Sequence, residues 1–135
     1  MPDHFFFYGT LMPQFAPLQL REVLIELQPV GDGCAPGILY DLGAYPGAVF
    51  SERSPTQIFG RVFRALAVDR VFEPLDRYEG YDPSSPDTSE YLRKRLPITL
   101  DDGSTIVCWA YEYNGSLAAA SIVPDGRYTP RASDT

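Results

Sequence analysis

The chain has 135 residues and a net charge of −7, with 11 Lys and Arg against 18 Asp and Glu. Its length suffices to bury a sizeable core without disulfides or metals, and an apolar fraction of 44% excludes a disordered protein. An acidic chain without a basic run lacks the positive surface that nucleic acids and anionic membranes attract, so we expect neither as a partner.

Sequence features of metal sites and membrane anchors are missing. Cys34 and Cys108 form no CxxC pair and His4 is the only histidine, so we expect no metal, no cofactor and two reduced, buried or half-buried cysteines. No stretch approaches the roughly 20 apolar residues of a membrane-spanning helix, and no basic leader precedes an apolar segment. We expect one cytoplasmic domain over residues 1–128, monomeric or weakly dimeric, and a disordered tail over 129–135.

The first predicted element is a short buried strand. Four consecutive aromatic residues, Phe5 to Tyr8, are followed by Gly9, Thr10 and Leu11. This pattern predicts a strand that stops abruptly at a turn, whose backbone N–H groups can point at a ligand. In isolation, an ordinary strand-to-turn junction explains the same residues.

The next segments alternate between helix and strand signals. Leucines and Val23 at helical spacing after Pro17 predict a short amphipathic helix that ends at Pro29. Residues 30–42 predict a strand with a bulge near its glycines, followed by a turn over 43–47 and a strand over 48–50. The polar residues 51–56 predict a hairpin tip, and residues 58–67 alternate as a strand.

A second helix is predicted over residues 69–79. Asp69 is a suitable N-cap, and the apolar face is continuous through Leu75. Pro74 is tolerated only near a first turn, so the helix is expected to be short or to start irregularly. Gly80 stands where a glycine ends helices. The polar residues 81–90 predict a mobile surface loop.

Two strands close the predicted fold. Residues 91–100 and 105–113 alternate in polarity around the turn signal Asp101-Asp102-Gly103-Ser104 and predict a hairpin. The sum is a mixed α/β (α+β) fold, a small and mostly antiparallel β-barrel of about six strands with two short helices.

Glu79 is the strongest candidate for acid–base chemistry. No nucleophile-elbow, Walker or dinucleotide-binding motif is present, and nothing marks His4 as a catalytic base. Glu79 lies at the C-terminal end of the second helix between Tyr78 and Tyr81. The helix dipole and desolvation by aromatic neighbours both raise a carboxyl pKa toward the value that a general base needs. A solvent-facing Glu in a last helical turn is the alternative.

Four sequence blocks in order resemble the gamma-glutamylcyclotransferase-like family. They are Tyr8-Gly9-Thr10-Leu11, then Gly37 through Ala48, then Leu75-Asp76-Arg77-Tyr78-Glu79-Gly80-Tyr81 with Tyr91-Leu92-Arg93, and finally Trp109 through Asn114. Each block alone is unspecific, but the ordered set spans residues 5–114. The family's usual C-terminal segment is altered here, with Arg127 in place of an acid and Tyr128 in place of Trp.

The resemblance implies an enzyme of gamma-glutamyl metabolism, which includes that of glutathione. Such enzymes act on a small gamma-glutamyl amino acid or amine without a cofactor. The substrate's α-amine attacks its own γ-carbonyl and releases 5-oxoproline. By matching position, Glu79 is the general acid/base and Tyr8, Gly9, Thr10 and Leu11 hold the glutamyl group.

Several residues and functions remain open at this stage. Tyr45, Tyr81 and Tyr113 are weaker candidates for substrate contact, with core or rim packing as the alternative. Arg93 and Arg95 either meet a carboxylate of the leaving group or form a solvent-facing side of their strand. A non-catalytic small-molecule-binding module on the same scaffold and a protein-interaction domain are the two rival functions.

Overall fold

The computed structural model describes residues 3–8, 27–43 and 45–128. The predicted turn at Gly9, Thr10 and Leu11, most of the predicted helix after Pro17 and the predicted disordered tail lie outside these ranges. The strands are β1 (Asp3–Phe7), β2 (Leu27–Asp41), β3 (Pro46–Phe50), β4 (Gln57–Ala65), β5 (Tyr91–Leu100), β6 (Thr105–Tyr113) and β7 (Ser121–Ile122). Helix α1 (Val68–Glu79) connects β4 to β5, and Pro86–Thr88 form a 3-10 turn.

Five of the strands close into a barrel. The hydrogen-bonded order is β2, β4, β1, β6 and β5, and β5 pairs again with β2 at Gly33 and Cys34. The β1–β6 pair is parallel and the other pairs of this ring are antiparallel. The second half of β2 leaves the ring and pairs with β3 and β7. The predicted small, mostly antiparallel barrel is therefore confirmed.

Strand β1 is buried on both of its faces, which explains its unbroken aromatic run. Phe6 and Tyr8 belong to the cluster that fills the barrel interior. Phe5 and Phe7 belong to a second cluster, between the outside of the barrel and α1. Successive side chains of a strand point to opposite faces. A run of apolar residues that no polar residue interrupts is therefore typical of a strand covered on both faces.

Helix α1 packs its apolar side over the barrel. Val71 and Leu75 are buried, and the Phe72 ring meets those of Phe5 and Trp109 edge to face. Helix α1 ends as predicted at Gly80, whose φ of 68° is left-handed.

No helix among the described residues is long and apolar enough to cross a membrane.

Two details of the predicted helix are wrong. The N-cap position is Ala67, which makes no side-chain capping bond, and Asp69 lies within the first turn. Pro74 lies inside the helix rather than near its start. The apolar contacts of Val71 and Leu75 compensate for the hydrogen bond that the proline cannot donate.

Three strand predictions also need correction. Strand β2 already begins at Leu27, so the predicted helix does not reach Pro29; the predicted bulge is present between Pro29 and Gly31. Residues 51–56 are not a hairpin tip, because β3 and β4 both pair with β2 rather than with each other. The two-residue strand β7 has no sequence signal. The β5–β6 hairpin is confirmed.

Both cysteines are free, as expected. Cys108 lies in the barrel interior, where burial raises the pKa of its thiol to about 12. Cys34 is half-buried on β2. A thiol with so high a pKa stays protonated at neutral pH, which makes Cys108 a packing residue rather than a nucleophile.

A substitution at Gly60 would test the close approach of β4 to β1. A methyl group at Gly60 would collide with the carbonyl oxygen of Phe7 and lie 2.9 Å from the Phe6 ring, whereas at Gly31 it would meet no atom within 4 Å. We expect Gly60→Ala to lower the free energy of unfolding by about 3 kcal/mol, because the backbone cannot move aside. The matched control Gly31→Ala is expected to change it by less than about 0.5 kcal/mol. Urea unfolding measures both, and equal effects would contradict the described barrel contact.

Candidate active site

A buried ion pair fixes the C-terminal end of α1 against the barrel. The Asp76 carboxylate accepts a hydrogen bond from the Tyr111 hydroxyl at 2.6 Å and pairs with the Arg93 guanidinium at 2.5 Å. The same guanidinium lies 3.8 Å from the centroid of the Phe72 ring. The expectation that Arg93 faces solvent or meets a leaving group is wrong, since it anchors the helix. Glu79 follows one turn later and is positioned by this anchor.

Glu79 is a half-buried carboxyl group whose pKa is raised from 4.5 to about 8. Burial is the larger cause, and repulsion by the Glu90 carboxylate is the second. The sequence predicted the direction and the desolvation, but not the second carboxylate. Among the described residues, no side chain or backbone group donates a hydrogen bond to the Glu79 carboxylate.

Tyr8 brings the end of β1 to the same place. Its hydroxyl donates to the carbonyl oxygen of Tyr111 at 2.5 Å and accepts from the Ala48 N–H at 3.3 Å. Burial and then the charge of Glu79 raise the pKa of Tyr8 well above its usual value. The ends of the first strand and of α1 therefore meet at this site. Gly9, Thr10 and Leu11 lie outside the described residues.

Tyr91 and Tyr113 form one wall of the site. Their ring centroids lie 5.3 Å apart, and the Tyr91 hydroxyl donates to the carbonyl oxygen of Pro46 at 2.6 Å. Burial, and then Tyr8 and Glu79, raise the pKa of Tyr91 far above its ordinary range. Tyr113 also packs beside Gly47, where a methyl group would lie 2.9 Å from the Tyr113 Cβ. The Tyr91 phenol is therefore neutral at physiological pH.

Tyr45 and Glu90 form the solvent-facing side of the site. The Tyr45 hydroxyl donates to Glu90 Oε1 at 2.5 Å, and this hydrogen bond is the main reason that the pKa of Tyr45 rises to about 12. Tyr45 is 38% exposed, and its ring lies 6.4 Å from that of Tyr91. Of the weaker tyrosine candidates, Tyr45 and Tyr113 thus lie at the site. Tyr81 instead packs near Arg93 on the helix side of the barrel.

The sequence did not identify Glu90, Tyr91 or the Asp76 anchor as parts of the site. Glu90 closes a polar loop and Tyr91 opens a strand, so neither stands out locally. The pairing of β5 with β6 places Arg93 opposite Tyr111 and Tyr91 opposite Tyr113. If the register between β5 and β6 had been known, the aromatic and charged residues on one face of these strands would have indicated the site.

The assembled groups suit proton transfer by one carboxyl group. With a pKa of about 8, Glu79 exchanges its proton readily near neutral pH, whereas the phenols of Tyr8 and Tyr91 hold theirs. In the ranges that the structure describes, no three His, Cys, Asp or Glu side chains are grouped to hold a metal ion.

Comparison with known proteins gives a family and a fold. The family model described as gamma-glutamyl cyclotransferase, AIG2-like, matches residues 5–130. No curated protein matches the sequence significantly.

Several solved structures share the fold. YkqA from Bacillus subtilis has a TM-score of 0.67 at 19% identity, and the match covers 95% of this chain but only 40% of YkqA. An AIG2-like protein from Mus musculus has a TM-score of 0.63 at 19% identity, with 97% of both chains covered. A structure titled gamma-glutamyl cyclotransferase has a TM-score of 0.63 at 12% identity, covering 92% of this chain and 73% of that one.

The raised pKa of Glu79 predicts a pH-dependent effect on folding. Because its pKa rises from 4.5 to about 8 in the fold, the stability it contributes is complete below pH 4.5 and declines as the pH rises toward 8. Glu79→Gln stays neutral, so we expect its free energy of unfolding to rise by about 4 kcal/mol relative to that of the wild type between pH 4.5 and pH 8.5. Urea unfolding at both pH values measures the difference. Glu73→Gln, on the exposed side of α1, is the control, and a gap that does not grow with pH would contradict the assignment.

Proposed function

The chain belongs to the gamma-glutamyl cyclotransferase, AIG2-like family, and on that basis we propose that it releases 5-oxoproline from a gamma-glutamyl amino acid or amine. The substrate's α-amine attacks its γ-carbonyl, and Glu79 acts as general acid/base. A cytoplasmic location and a monomeric or weakly dimeric state, as expected from the sequence, belong to this proposal.

The observation that carries the proposal is the environment of Glu79. A carboxyl group with a pKa of about 8, at a helix end fixed by the Asp76 anchor, is suited to take up and release protons near neutral pH. The electrostatic influence of Glu79 on Tyr8 supports its closeness to the chain segment that contains Gly9, Thr10 and Leu11.

The proposed reaction needs two proton transfers from the α-nitrogen. Glu79 takes one proton from the α-ammonium, and the freed amine forms a bond to the γ-carbon. As the ring closes, Glu79 gives this first proton to the leaving nitrogen, and the bond between that nitrogen and the γ-carbon breaks. Glu79 then takes the second proton from the α-nitrogen and passes it to the released amine. Both protons end on the leaving amine, so products are 5-oxoproline and an ammonium ion, and Glu79 returns to its starting state.

The other groups bind and enclose the substrate in this proposal. Backbone N–H groups of Gly9, Thr10 and Leu11 hold the glutamyl carboxylate or the oxyanion that develops on the γ-carbonyl. The tyrosines Tyr8, Tyr45 and Tyr113 border the reacting centre. Because the reaction is intramolecular, holding the amine near the carbonyl supplies much of the rate enhancement.

The test is a mass-spectrometric assay for 5-oxoproline over a panel of gamma-glutamyl amino acids and amines. We expect turnover of at least one substrate by the wild type, and a loss of about 10²- to 10⁴-fold in Glu79→Gln because the proton carrier is removed. Glu73→Gln lies on the same helix, pairs with Arg77 at the surface and is expected to keep full activity.

Two outcomes would contradict the proposal. One is a wild type that is inert across the panel, and the other is a Glu79→Gln variant that is as active as the wild type. Ligand-dependent thermal stabilisation without any turnover would favour the non-catalytic binding module instead.

A further inference from the structure

Glu90 is a second carboxylate beside the C-terminal end of α1, and its backbone is fixed on both sides. Its N–H donates to the carbonyl oxygen of Gly80 at 3.0 Å, and its own carbonyl accepts from the Asn114 N–H at 2.8 Å. A methyl group at Gly80 would lie 3.3 Å from Glu90 Cβ and 3.6 Å from Oε2. The side chain of Glu90 therefore packs against the turn that immediately follows Glu79.

The Glu90 carboxylate is oriented but not neutralised. Oε1 accepts the hydrogen bond from Tyr45, which fixes the plane of the group, and the residue is exposed to solvent. Over residues 3–8, 27–43 and 45–128, no Lys or Arg pairs with Glu90 or Glu79. Oε2 has no hydrogen-bond donor among these residues and is directed along the turn at Gly80.

Within the part of the chain that the structure describes, the remaining groups around the two carboxylates supply no free positive charge. Arg93 is engaged with Asp76 on the other side of the helix end. The neighbouring side chains from β1, the segment before β3, β5 and β6 include five phenols: Tyr8, Tyr45, Tyr91, Tyr111 and Tyr113. The Glu90 carboxylate repels the ionised form of Glu79, and a cationic ligand group would remove that repulsion.

We propose that Glu90, oriented by Tyr45, binds the α-ammonium group of the substrate and presents it to Glu79. This inference rests on the proposed function, because the α-ammonium is the cation common to gamma-glutamyl compounds and the group that Glu79 must deprotonate. An ammonium group has three N–H donors, so it can bond to both carboxylates at once.

The bound ammonium would also explain how a protonated Glu79 becomes a base. Repulsion by Glu90 contributes to the pKa of about 8 in the free protein. A positive charge placed between the two carboxylates has the opposite effect and favours the ionised form of Glu79. On substrate binding the proton of Glu79 is then released to solvent, which leaves the carboxylate that the first proton transfer requires.

The experiment compares two ligands by calorimetry in a Glu79→Gln background, where turnover is suppressed. One ligand is a gamma-glutamyl methylamide and the other is the same molecule without its α-amine. Adding Glu90→Gln keeps the oxygen that accepts the hydrogen bond from Tyr45. We expect this change to raise the dissociation constant of the amine-bearing ligand by about tenfold to hundredfold and that of the des-amino ligand by less than about twofold.

Two further variants sharpen the comparison. Adding Tyr45→Phe is expected to cause a smaller loss of affinity, again only for the amine-bearing ligand. The reason is that the Glu90 carboxylate keeps its charge but loses the hydrogen bond that orients it. Adding Glu73→Gln, which removes a carboxylate from the exposed side of α1, is expected to change neither affinity.

The outcomes separate this inference from the proposed function. Three results would overturn the role of Glu90. They are an equal loss of affinity for both ligands on adding Glu90→Gln, no loss of affinity for either ligand, and no binding of the amine-bearing ligand to Glu79→Gln. Selective, Glu90-dependent binding together with a wild type that forms no 5-oxoproline would overturn the cyclotransferase activity and leave the ammonium site standing.

Discussion

The buried contact of Asp76 with Arg93 and Tyr111 determines where the end of α1 lies. One helix, at its C-terminal turn, is thereby joined to two barrel strands by charge-assisted hydrogen bonds in a place with little water. Removing one partner of such a pair leaves an unpaired charge, so the contact holds the helix end in one arrangement. The positions of Glu79, of Gly80 and of the segment that returns to β5 all follow from it.

Fixing the helix end has an electrostatic consequence. Glu79 is held where burial disfavours its ionised form, and Glu90 is held beside it by backbone bonds to the Gly80 turn. The hydroxyls of Tyr8 and Tyr91 donate to carbonyl oxygens, and that of Tyr45 donates to Glu90, so these phenols add no positive charge. The fold thus keeps one proton on Glu79 near neutral pH, and a cation bound beside it would release that proton.

The barrel could be predicted from sequence because its signals are local. Alternation along β4, β5 and β6, the Asp101 turn and the Gly80 helix stop each depend on a few neighbouring residues. The predicted hairpin over residues 51–56 failed because β3 and β4 both pair with the long β2, which no local pattern reveals. The raised pKa of Glu79 was predictable from its place at a helix end between aromatic residues. The hydrogen bond between Tyr45 and Glu90 was not predicted, because it joins residues 45 positions apart in the sequence.

The most direct measurement is an NMR titration of the Glu79 side-chain carboxyl carbon in the free protein, assigned by comparison with Glu79→Gln. Burial at the helix end and repulsion by Glu90 predict a midpoint near pH 8. A midpoint near 4.5, the value of an ordinary glutamate, would show that the carboxyl is well solvated and would contradict its role as the proton carrier.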